Sequence, residues 1–356
     1  MKKLVLLLSS LIFILGNLNA TPNNFDIYGV GPELQEQIFS KCKEEISEYD
    51  HLSQQIKLSL KVDKRIIKRH EIETSIIKKV NTLGDFSVVG ISTITYPQNQ
   101  TTYSTLDIVQ KNDASRLPKS PIQHEKKTIK KSEALKKLFQ IWNNYINRTI
   151  ILMNQNKFDM KVRSCPFIHC TWGFDKEELK NDAPELKAGS SKYKDQLIDI
   201  IKYSNNDEER GQAIFILANT DDYHEITQLM ISLTNDPSEL VRNNSMRVLG
   251  AILSKYDIHG LDIHNILLAL NYPYVTDRNK AAYVLWDMVR KDKSIHRLVI
   301  KESGNTLINL LKLKQPNNHD YAFLILKEIS HQNYSEHDFQ RWQQWIDLEN
   351  NNLKNS

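Results

Sequence analysis

Four segments in the C-terminal half of the chain place a small residue at equivalent points, Ala213, Ser245, Ala281 and Ala322, at spacings of 32, 36 and 41 residues. Apolar residues recur around these points with a helical period. Ala281, Val284, Leu285 and Met288 form one set, and Ala322, Ile325, Leu326 and Ile329 another. The segments that precede them carry Ile226, Leu229, Met230 and Leu233, then Ile263, Ile266, Leu267 and Leu270. Spacing of this kind lays an apolar stripe along one face of a helix. A helix pair with such a stripe cannot bury it alone, so a run of pairs must stack. The pattern from Tyr193 onward therefore predicts an α-solenoid over 191–350, with a short tail at 351–356.

The wording inside one repeat is more specific. Asn235-Asp-Pro-Ser-Glu-Leu-Val-Arg-Asn-Asn-Ser-Met-Arg-Val-Leu249 has a D-P turn, then V-R, then a small residue and an apolar run. It resembles a HEAT repeat, which implies stacked helix pairs and a protein-binding surface. Arg210, Arg242 and Arg278 each stand three residues before the small residue, and His319 takes that place in the fourth repeat. Two readings follow. The arginines are an internal ladder to acidic residues such as Asp207, Asp236 and Asp277, or they are a basic stripe for an acidic partner. The ladder is preferred, because a stripe does not need the register with a packing residue. Trp286, Trp342 and Trp345 are read as core or capping residues, with interface anchors as the alternative.

The N-terminal part follows different rules. Phe25, Ile27, Tyr28 and Val30 form a short apolar run ended by Gly31-Pro32. Helical periodicity then predicts one helix from about Pro32 to Leu58 and a second over roughly Lys64 to Leu83. Gly84 ends the second, and β-branched runs at 86–96 and 101–109 flank the turn Pro97-Gln-Asn-Gln. The order strand, helix, helix, strand, strand resembles the POTRA (polypeptide-transport-associated) domain, a small βααββ module of exported proteins. No run of ten-residue amphipathic strands follows, so a barrel-assembly role is not implied. The expected fold class is α+β: a βααββ domain at 21–112, a polar Lys-rich linker at 113–131, a long helix with a Cys-containing connector at 132–190, and the helical array.

Met1-Lys2-Lys3 followed by an apolar run from Leu4 to Gly16, and Ala20 at a cleavage position, reads as a secretory signal over 1–20. The run falls short of the ~20 residues that span a bilayer. Export, to a periplasm or the medium, permits disulfides. Of the three cysteines, Cys42 falls on a helical apolar face, so the expected bridge is Cys165–Cys170 with Cys42 free and buried. Cys165, His169 and Cys170, with His124 upstream, are also the one set that resembles a metal site, although C-x₃-H-C is not a common zinc spacing. Lys126, Lys127, Lys130 and Lys131, near Lys136 and Lys137, are read as a solvated face, with an anionic lipid or partner contact as the alternative.

Glycine-rich nucleotide motifs, H-E-x-x-H and G-x-S-x-G are absent from the sequence. A formal charge of +4 on 356 residues gives no nucleic-acid signature. The expectation is a non-enzymatic protein-binding adaptor in the cell envelope, without a cofactor and without integral membrane segments, its partner an unidentified protein. Alternatives are an accessory factor in envelope assembly or secretion, adding a strand to a client, and a metal-dependent enzyme using His169.

Overall fold

The computed structural model describes residues 24–56, 64–96, 99–118, 128–155, 165–170, 174–220 and 222–354. The signal read at 1–20, His124, Lys126 and Lys127 lie outside them. The chain divides into two compact units, Met1–Asn112 and Asp113–Ser356. It is an α+β fold, with a small N-terminal sheet and helices elsewhere.

The first unit runs β1 (Phe25–Tyr28), α1 (Pro32–Lys41), α2 (Lys43–Gln55), α3 (Lys64–Val80), β2 (Phe86–Tyr96) and β3 (Thr101–Gln110). The sheet order is β1-β3-β2, with β1 parallel and β2 antiparallel to β3. β3 is central, and Leu106, Ile108 and Val109 are buried on it. Phe25, Ile38, Cys42, Ile46, Tyr49, Ile72, Ile76 and Val80 close the core from the helices and β1.

Periodicity predicts one helix where the structure has two, because Cys42 opens to φ −117° and ψ 18° between α1 and α2. The backbone bonds Cys42 N–H to Ile38 O (2.9 Å) and Ile46 N–H to Cys42 O (2.8 Å) still bridge the break. The apolar stripe therefore continues across it, and a periodicity argument does not register the bend. The helix also stops at Gln55 and α3 at Val80, short of the predicted ends.

The second unit opens with α4 (Glu133–Asn154), capped by the Ser132 hydroxyl, which accepts from Leu135 N–H at 3.2 Å. Leu135, Leu138, Phe139, Trp142 and Tyr145 are buried along it, while Ile146 and Ile150 are half-buried. Two short helices follow, α5 (Glu177–Lys180) and α6 (Ala183–Lys192).

Four helix pairs come next: α7 (Lys194–Tyr203) with α8 (Asp207–Leu217), α9 (His224–Leu233) with α10 (Glu239–Lys255), α11 (His264–Ala269) with α12 (Val275–Lys291), and α13 (His296–Leu311) with α14 (Pro316–Ser330). Within each pair the helices pack together, and the second helices pack in series, α8 on α10, α10 on α12, α12 on α14. The small residues Ala213, Ser245, Ala281 and Ala322 are fully buried at these contacts. All eight apolar residues predicted for α9 and the α11 segment are buried. Ile329 departs from its set and is half-exposed at the end of α14.

α15 (Phe339–Lys354) packs on α13 and ends the series. Its Trp342 and Ile346 are fully buried, and Trp342 donates its indole N–H to Ser335 O at 2.9 Å. Trp286 and Trp345 are half-buried. Among the described residues no helix is long and apolar enough to cross a membrane.

Candidate functional site

The arginines of the repeat occupy the interior. Arg210, Arg242 and Arg278 are 2%, 1% and 0% exposed. Each donates to a backbone carbonyl in the last turn of the first helix of its own pair or just past it: Arg210 Nε to Ile201 O (2.8 Å), Arg242 Nη1 to Asp236 O (2.7 Å), Arg278 Nη1 to Tyr272 O (2.7 Å). The last carbonyls of a helix lack intrahelical donors, so these contacts satisfy groups that would otherwise be buried unpaired.

Two of these side chains, Arg210 and Arg242, also reach into the next pair. Arg210 binds both carboxylate oxygens of Asp236, with Asp207 beside it at 3.0 Å, and Arg242 binds Asp277 at 2.7 and 2.8 Å. Burial pushes the Asp277 carboxyl up to about 6, with Arg242 pulling against it. An open basic stripe of these three residues is therefore corrected: a partner cannot reach guanidinium groups held this deep, and the register with the small residue comes from joining pair to pair.

Cys165 and Cys170 are bonded, with Cα atoms 5.7 Å apart, and Cys42 is the free, buried cysteine. With both sulfurs in one bond neither is a thiolate, so Cys165, His169 and Cys170 no longer form a metal donor set. The connector instead docks on the helix pairs. Ile168 and His169 donate their backbone N–H groups to Thr220 O (3.1 Å) and Ala218 O (3.2 Å) just past α8. Lys255, at the end of α10, donates to Cys165 O (3.1 Å) and Phe167 O. Thiol titration of the denatured, unreduced protein should find one reactive thiol, and a Cys42→Ser variant none. Three thiols in the native chain would contradict the bond.

The connector brings His169 against the second helices. Its ring stacks on Phe215 at 5.2 Å, and Phe215 stacks on Trp142 at 5.6 Å. Burial, then Arg247, Lys255 and Lys280, push the imidazole down to about 3, so it is neutral at ordinary pH. Arg247 is exposed and lies over the Phe215 ring at 6.0 Å. Burial, with Arg247 adding repulsion, lowers the half-buried Lys280 to about 8.

Tyr283 continues the same side of the array. It lies against Gly250, where a Cβ would come within 2.3 Å of the ring, so only glycine admits it there. Burial raises its phenol to about 12, and Tyr321 packs beside it at 5.7 Å. Phe215, Arg247 and Tyr283 each fall two residues after the small residue of their helix, and Lys280 and Tyr321 one before. Positions three apart share a helix face. Sequence reasoning missed these five residues, although that register was the signal that finds them.

No family model matches the chain, and the comparisons with curated proteins and with solved structures also return no match.

Proposed function

We propose that the chain is an exported, non-enzymatic protein-binding module. In this reading a POTRA-like domain precedes a HEAT-like solenoid that grips an acidic, partly apolar segment of a partner protein along the second helices of its pairs. One observation carries the reading. Arg247 and Lys280 stand close enough on that side to repel each other, and among the described residues no carboxylate acts on either. Two cations that repel each other beside aromatic rings are stabilised by an incoming carboxylate, while the rings supply apolar area. The disulfide, and the absence among the described residues of a helix long and apolar enough to cross a membrane, are compatible with export.

A second reading is favoured by β2, which forms the edge of its sheet over eleven residues, half-buried along most of its length. Such an edge suits strand addition by a client in an assembly or secretion role. The two readings separate cleanly. Affinity capture with the mature chain should retain a partner that the charge reversals Arg247→Glu and Lys280→Glu release, at unchanged melting temperature. Capture insensitive to those variants but lost when β2 is altered would favour the second reading.

A further inference from the structure

We propose that His319, Glu336 and His337 bind one divalent transition-metal ion, zinc foremost, and that the ion pins the segment before α15 to the start of α14. The repeat register leads to the site. His319 stands where the earlier pairs place Arg210, Arg242 and Arg278, and it keeps the arginines' inner contact: its Nδ1 lies 2.6 Å from Leu311 O, at the end of α13. A carbonyl only accepts, so Nδ1 carries the proton, and in the neutral ring Nε2 keeps its lone pair on the side away from Leu311. A backbone carbonyl on the second nitrogen is the arrangement that orients metal-binding histidines.

The outward nitrogen meets two more donors. His319 Nε2 is 3.7 Å from one oxygen of Glu336, and His337 Nε2 is 3.6 Å from the other. The three ligand atoms all lie within 4.8 Å of one another. Both nitrogen–oxygen distances exceed a good hydrogen bond. They are close to the ~3.4 Å that separates two ligands placed tetrahedrally at ~2.0–2.1 Å from zinc. The inner ligand is 13% exposed and held, while Glu336 and His337 are 47% and 72% exposed and free to close the remaining gap.

Their backbone is already positioned. Ser335 O accepts from the indole of the buried Trp342 and from Asp338 N–H at 3.1 Å, and the Ser335 hydroxyl accepts from His337 N–H at 3.3 Å. Two imidazoles and one carboxylate suit zinc, copper, nickel or cobalt rather than calcium or magnesium, and leave a fourth position for water.

The test uses the full chain, stripped with a chelator and dialysed. Titration with zinc chloride by calorimetry should give one site per chain and a raised melting temperature, and calcium or magnesium should give neither. His337→Ala and Glu336→Gln alter exposed side chains and should leave the unliganded melting temperature unchanged while weakening zinc binding at least tenfold. Truncating His319 also removes the contact to Leu311, so the two exposed variants decide the matter. Absence of saturable zinc binding, or binding of equal strength and stoichiometry in the His337→Ala, Glu336→Gln double variant, overturns the proposal.

Discussion

Asp277→Ala is expected to destabilise the helical unit by about 3–5 kcal/mol, the usual cost of stranding a buried charge. Arg242 is 1% exposed and its ε and η nitrogens both bind the removed carboxylate. Its remaining bonds go to the carbonyls of Asp236 and Pro237, which cannot neutralise the charge. Against a total stability of ~5–15 kcal/mol this is a large fraction. For a unit of this size it corresponds to a fall in melting temperature of roughly 6–20 °C. A second change, Arg242→Met in the Asp277→Ala background, should restore much of the loss, because a paired burial of charge is replaced by apolar packing rather than by a lone ion. Thermal melts of the single and double variants measure both effects. An Asp277→Ala protein that melts like the parent would mean the two side chains do not meet.

The second large effect separates adjacent residues. Leu267 is 4% exposed and Leu268 is 46% exposed, on a helix of only six residues. Leu267→Asp places a carboxylate among α11, α12 and α13, where an unpaired ion costs several kcal/mol after relaxation. A helix this short has little stability outside its packing, so the third pair should be lost and cooperative melting of the array with it. Leu268→Asp adds a charge in water and should shift stability by no more than about 0.5 kcal/mol. Circular dichroism melts of the two variants decide it. Equal damage from both, or from neither, would put the wrong face of α11 in the core.

These two cases show what the sequence carries and what it does not. The stripe Ile263, Ile266, Leu267, Leu270 follows from a 3.6-residue period and one buried face, so it was readable without coordinates. The ladder was readable in kind, since Arg at a fixed distance from a packing residue argues for an internal role. Its connectivity was not: Arg242 reaches Asp277, 35 residues on, only because the pairs stack in series. The bend at Cys42 was hidden for a related reason, since a bend that preserves the buried face leaves the apolar spacing intact. The Phe215, Arg247, Lys280, Tyr283 and Tyr321 side mixes rings and cations, so only its fixed offset from the small residues marks it along the sequence. It becomes a surface when four second helices lie side by side. His319 was visible as a departure from arginine, but Glu336 and His337 come to it through the packing of α15.

The proposed function has this side of the array receive an acidic partner segment. Its most direct measurement is the affinity of the captured partner for the parent and for the Arg247→Glu, Lys280→Glu chain, each at low and at high salt. Exposed charges are screened beyond ~10 Å at 0.1 M salt. The parent should bind more weakly as salt rises, the charge-reversed chain should bind far more weakly at low salt, and both should melt at the same temperature. Equal affinities for the two chains, or a loss of affinity that only tracks a loss of folding, would contradict it.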